Sequence, residues 1–260
     1  MMVPLVYVLM RRKNRSSYRR VLEALQMPTA PERVIMDFEM ASKQAIQDVY
    51  GSHVAAHGCH FHFCQCLKRK VDEFAKQDYK NNSIFARFIR HLMALPFAKP
   101  EHIEHYFEQL LIKFRDLLGN DATRLLIPMK DYMERTWIGL PGLLPGDTRQ
   151  VPLFEISFWN CYEYTTLDLP RTNNNIEAWH RAIQETIRQK HPTIEALIKA
   201  LKQEEGIANL DIAHANGGDV PPFIRRKVYY SLNERFKKVL EAYNPDPLIF
   251  LGGIVQNIRQ

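Results

Sequence analysis

The sequence predicts an α/β fold that is mainly helical by residue count. Two observations carry this. Over the first 58 residues, short apolar runs alternate with amphipathic stretches, the strand–helix–strand pattern of a parallel unit. From residue 61 to 135, apolar residues recur at helical spacing and no strand pattern interrupts them. The composition permits such a fold. A chain of 260 residues, 46% hydrophobic and 25% charged, can bury a sizeable core, as one large domain or two small ones.

Taken in order, residues 3–10 (VPLVYVLM) are rich in Val, Leu and Tyr and read as a buried strand. A helix follows over about 17–26, with Ser16 or Ser17 as its cap and Val21, Leu22 and Leu25 on its apolar face. PTAPE marks a loop, Val34-Ile35-Met36 a short strand ending at Asp37, and 38–50 a helix closed by Gly51. Residues 54–56 make a third short strand. Helices are then expected at 61–74, 84–95, 100–118 and 123–135, with Pro100 in a first turn and Gly119 as a terminator. Residues 139–152 hold three Gly and three Pro and must form a loop. Helical periodicity returns at 174–189, 193–208 and 222–243, and the tail after Pro245 has no clear period.

The ends and the cysteines exclude several classes. The apolar start is ten residues long, about half of what spans a bilayer, and its basic cluster comes after the apolar run, the reverse of a secretory signal. Three of the four cysteines lie within 59–66, which is no disulfide framework for a chain of this size and suits a reducing compartment. An intracellular protein, neither secreted nor membrane-bound, is the expectation.

Four features could carry chemistry. Asp37 follows an apolar strand and precedes a helix, so it can hold a divalent cation at a strand's carboxyl end or merely cap the helix. Glu177, in RTNNNIEAWH, can complete a capping box with Asn174 or point from a first helical turn into a site. Residues 53–66 (HVAAHGCHFHFCQC) gather four of ten His and three of four Cys. That composition suggests zinc, but the spacing argues against it: Cys59-x-x-His62 is half a site, and Cys64 and Cys66 face different directions on a helix. Two basic clusters complete the set. Arg11, Arg12, Lys13, Arg15, Arg19 and Arg20 form the first; Arg225, Arg226 and Lys227 open the second, which interleaves Tyr229, Tyr230 and Phe236. In a chain of net charge +6, either cluster can neutralise DNA phosphates or be a solvated helix face whose aromatics belong to the core.

The ordered motifs VPLVYVLM, VIMDFEMA, GCHFHFCQCLKRK, LMALPF, RTWIG, FWNCYE and RTNNNIEAWH resemble the transposase domain of Mutator-like elements (MULE), of the type often associated with FLYWCH zinc fingers. The resemblance spans roughly residues 3–189. It implies a ribonuclease-H-like fold with a helical insertion, and DNA strand cleavage and transfer at a DDE site holding Mg²⁺ or Mn²⁺. Asp37 then matches the second catalytic aspartate and metal ligand, Glu177 the final glutamate and ligand, and Cys59 and His62 a signature that shapes the strand–helix junction beside the site. The physical logic of such a triad is a pair of hard cations held by carboxylates, one activating the attacking oxygen and one the leaving oxygen.

The resemblance divides the chain into a partial core (1–60), a helical insertion with its Gly/Pro loop (61–172), a returning core helix (173–190) and a helical C-terminal region and tail (191–260). It also implies that a strand with the first aspartate precedes residue 3, whereas no Asp occurs before position 37. The expectation is a transposase-derived chain, N-terminally truncated and inactive as written, with DNA as partner and the nucleus as its place. RRK and KRK are compatible with nuclear import, and the cytoplasm is the alternative. A homo-oligomer is compatible with the sequence. The competing readings are a non-catalytic interaction protein that uses its helical region, and a zinc-dependent binding module on residues 53–66.

Overall fold

The computed structural model describes residues 6–144, 147–187, 192–217 and 227–258. It is a mainly helical α/β structure with one two-stranded parallel sheet. Helix α1 (Arg15–Ala24) is capped by Asn14, whose side chain accepts from Ser17 N at 2.8 Å; neither Ser16 nor Ser17 is the cap. The Asn carbonyl reaches the N3 amide from an extended N-cap backbone, satisfying a donor that the helix cannot. Strand β1 (Arg33–Met36) is followed by α2 (Met40–Tyr50), which Gly51 ends at φ +86°, and by β2 (Ala55–Gly58). The strands pair in parallel, Arg33 with Ala55 through Met36 with Gly58, with α2 as the crossover. Helices α1 and α2 pack on each other.

Over its described part, residues 6–10, the expected first strand is not formed. Residues 6–10 are irregular, with Val6, Val8 and Leu9 exposed, and residues 1–5 lie outside the described part. Tyr7 instead stacks on Trp179 at 5.3 Å between ring centroids. An apolar run of this kind fits a strand or a draped segment equally well by composition, and pairing decides between them.

The helical body begins with α3 (His60–Phe74), α4 (Lys76–Asn81) and α5 (Ser83–Ala94), the last capped by Asn82, which accepts from the amides of Ile84 and Phe85. A 3₁₀ turn at Pro100–His102 leads into α6 (Ile103–Leu118), and α7 (Ala122–Met133) runs on into a π-helical turn, Glu134–Ile138. Their apolar faces close one core: Phe63 and Leu67 of α3, Phe88 of α5, Phe107 and Phe114 of α6 and Met129 of α7 are all fully buried. Beyond the 139–152 loop come two short helices, α8 (Ile156–Trp159) and α9 (Tyr162–Thr166), then α10 (Asn174–Ile187), α11 (Ile194–Asn216) and α12 (Lys227–Glu241).

The tail is the second departure from expectation. It forms α13 (Pro247–Val255), capped by Asp246 with Pro247 in the first turn, and it buries Phe250, Leu251 and Ile254 in the core against α5 and α6. PLIFLGGIV is apolar on nearly every face, so it shows no 3.6-residue alternation although it is helical. Among the described residues, no helix is long and apolar enough to cross a membrane.

Candidate functional site

The carboxyl ends of β1 and β2 bring together three segments that are far apart in sequence. Asp37 follows β1 directly, and α2 starts only at Met40 after the N-cap Glu39. Asp37 therefore caps nothing; the capping alternative fails because the helix begins three residues later. Its side chain is 57% exposed, and Oδ1 lies 2.9 Å from His62 Nδ1. The same oxygen accepts from Asn173 Nδ2 at 3.1 Å.

Asn173 bridges the second strand end as well. Its Oδ1 accepts from the Cys59 thiol at 3.0 Å, and its backbone N–H donates to Cys59 Sγ at 3.4 Å. Cys59 N in turn donates to Met36 O at 2.8 Å, and His60 N to Arg171 O at 2.9 Å. One amide side chain thus ties the DFE segment to the Cys-x-x-His turn and to the RTNNN segment. Burial pushes the Cys59 thiol up from its ordinary range, with the nearby backbone N–H groups opposing, so it stays a neutral donor.

The aromatic partner of Asp37 is its neighbour. Phe38 meets Trp137, Phe154 and Phe158 edge-to-face at centroid distances of 4.7, 5.2 and 5.6 Å. This plugs the strand end into the helical body and fixes where Asp37 projects. On the far side of the DFE triplet, Glu39 accepts from Tyr18 OH at 2.9 Å. Burial and then the Glu39 carboxylate push the Tyr18 hydroxyl up to about 12.

Glu177 lies on the first turn of α10, and its side chain, like that of Asn174, is outside the described residues. Within the His/Cys cluster Cys64 Sγ meets His60 Nε2 at 3.6 Å, and the other members have separate partners. His57 Nε2 bonds Asn160 O at 2.8 Å, His60 Nε2 bonds Met93 O at 2.9 Å, His62 faces Asp37, and Cys66 Sγ accepts from Arg69 at 3.2 Å. Among the described residues, no group of three His, Cys, Asp or Glu could hold a metal ion. At this junction both described carboxylates have protein partners, Asp37 in Asn173 and His62 and Glu39 in Tyr18.

No protein family, curated protein or solved structure matches the chain.

Of the first basic cluster, Arg11, Arg12, Lys13, Arg19 and Arg20 are exposed. Arg15 is committed to Asp48, with Nε at 2.7 Å from Oδ2, and Arg19 pairs with Glu23 at 3.1 Å. Of the second cluster, Arg225 and Arg226 lie outside the described residues, as do the side chains of Lys227, Tyr229 and Tyr230. Phe236 is a core residue: it stacks on Phe97 at 4.8 Å and carries the Arg171 guanidinium 4.8 Å from its centroid. Arg171 also donates to Asn233 at 2.9 Å, fastening the RTNNN segment to α12, and burial draws its pKa down.

Sequence reasoning missed Asn173, Phe38 and Arg171 as positioning groups. The signals were present. Three successive Asn residues at a helix start are costly unless they have partners, and an aromatic beside a strand-end Asp is a natural anchor.

Proposed function

We propose that the chain derives from a MULE-type DDE transposase with a ribonuclease-H-like core, and that it acts as a DNA-binding descendant of that enzyme. The ancestral reaction is Mg²⁺- or Mn²⁺-dependent cleavage and transfer of DNA strands, with Asp37 and Glu177 among the ligands. What supports the reading is the junction in which Asn173 joins Asp37 to Cys59 while His62 faces the same carboxylate, across 136 and 114 residues of chain. These are the three motifs on which the resemblance rests most heavily. A two-metal centre takes carboxylates that bracket both ions, and Asp37 is one. The activity proposed for this chain is DNA binding without strand transfer, through the exposed residues Arg11, Arg12, Lys13 and Arg20.

Fluorescence anisotropy with unrelated duplex sequences tests this. Affinity is expected to fall steeply with salt, with little sequence preference. Replacing those four residues by alanine should flatten the plot of log K against log[salt] by about 1 for each phosphate no longer neutralised. Salt-independent retention, or no retention at low salt, would refute DNA binding. Strand transfer by this chain on adding Mg²⁺ or Mn²⁺ would refute the inactive assignment.

A further inference from the structure

Residues 6–13 form neither helix nor strand and, among the described residues, make no backbone–backbone hydrogen bond. Such a segment is an arm, and its course is set by what fastens its ends. At one end Asn14 caps α1, and Arg15 grips Asp48 of α2 with Nε 2.7 Å from Oδ2 and Nη2 2.5 Å from Oδ1. At the other end Tyr7 stacks on Trp179 of α10, with centroids 5.3 Å apart and ring planes 25° from parallel. The platform under Tyr7 is itself fixed, since Trp179 Nε1 donates to Glu204 of α11 at 3.0 Å. Residues 8–13 therefore run between the α1–α2 pair and the α10–α11 hairpin. They carry Arg11, Arg12 and Lys13, all exposed.

The Tyr7 anchor is a ring contact. Its hydroxyl is enclosed and, among the described residues, has no hydrogen-bond partner. Val6, Val8 and Leu9 around it are exposed, so this one side chain docks while its neighbours face solvent. Ordering a free arm on a ligand costs backbone entropy, and an arm fastened at both ends has met that cost beforehand. We propose that Tyr7, through its stack on Trp179, is a positioning residue for DNA binding: it holds the arm so that Arg11, Arg12 and Lys13 meet phosphates in a preset arrangement. This rests on the DNA-binding reading and deepens it with two residues that act through the arm.

Two measurements on the full chain test this, and the first needs no DNA. Of the three tryptophans, Trp137 and Trp159 are fully buried and Trp179 is half-buried, so acrylamide quenching of tryptophan fluorescence reads Trp179. Tyr7→Ala should raise the quenching, and Tyr7→Phe should keep it at the wild-type level. Equal quenching in Tyr7→Ala and the wild type would overturn the anchor.

The second is fluorescence anisotropy with duplex DNA over a salt series. If Tyr7→Ala lowers the docked fraction to about a tenth, binding weakens about tenfold. The slope of log K against log[salt] should stay unchanged, because the same cations still reach phosphates. Arg11→Ala with Arg12→Ala should instead flatten that slope. Tyr7→Phe should bind like the wild type, because the ring and not the hydroxyl makes the contact. Trp179→Ala should weaken binding as Tyr7→Ala does, and the double variant no further, since both remove one stack. Full affinity in Tyr7→Ala, or a flattened slope, would overturn the positioning role and leave the DNA reading standing. A wild type that binds no DNA would remove both.

Discussion

Gly58→Ala is expected to destabilise the protein by about 2–3 kcal/mol, read as a lower urea midpoint at unchanged m-value. The objection to a side chain here is space alone, since Gly58 is not among the residues with positive φ. A Cβ would lie 2.4 Å from Cε1 and Cζ of Phe38 and 3.2 Å from Cε1 of Phe158. A contact of 2.4 Å must be relieved by movement, and the Phe38 ring has little room: Trp137, Phe154 and Phe158 surround it. Relief then means displacing the strand end that carries Asp37, or opening the aromatic cluster, and close-packed interiors resist both. The control is Gly206→Ala in α11, where nothing lies within 4 Å of the new methyl. In a helix interior that change should stabilise by about 0.5–1 kcal/mol. The opposite signs are the test: a neutral Gly58→Ala would mean that the Phe38 cage does not constrain the strand end.

The same residues show what was legible in the sequence. The crossover unit was, because Val34-Ile35-Met36, the amphipathic run to Tyr50 and Gly51 each obey a local rule of period or termination. The four long helices of the body were legible to within a few residues for the same reason. The irregular course of residues 6–10 was not, because strandhood is a property of a pair, and among the described residues Tyr7 stacks on Trp179 instead of joining the sheet. Helix α13 was hidden by its uniform apolarity, which burial against α5 and α6 explains only once the fold is known. At the candidate site, Asp37 could be singled out but its two readings could not be separated locally. The start of α2 at Met40 removes the capping reading, and the carboxylate instead accepts from Asn173, 136 residues further along the chain.

Stability is also expected to fall as the pH drops from 6.5 to about 4, through three buried histidines. His60, His57 and His91 each place one ring nitrogen on a backbone carbonyl, those of Met93, Asn160 and Arg87. A carbonyl cannot donate, so that nitrogen carries the proton of a neutral imidazole. Burial is the largest cause in each case and lowers the pKa, reaching about 4 for His60, where the charges of Arg171 and His57 add to it. The sign follows from linkage. Below 6.5 the unfolded chain binds protons that the folded chain refuses, so unfolding gains with each step down in pH until the folded value is reached. For His60 alone the complete displacement is worth about 3 kcal/mol, of which about 2 is lost between about pH 7 and about pH 5. His57 and His91 act in the same direction. The exposed carboxylates held low by arginine, Asp48 and Asp78, titrate below their ordinary 3.8 and leave this window to the histidines. Urea unfolding at the two pH values measures the loss, and His60→Gln should shallow the dependence by about 2 kcal/mol over that range. Equal stability at both pH values would show that the three rings are not buried as neutral imidazoles, and an unchanged slope in His60→Gln would remove His60 as the main source.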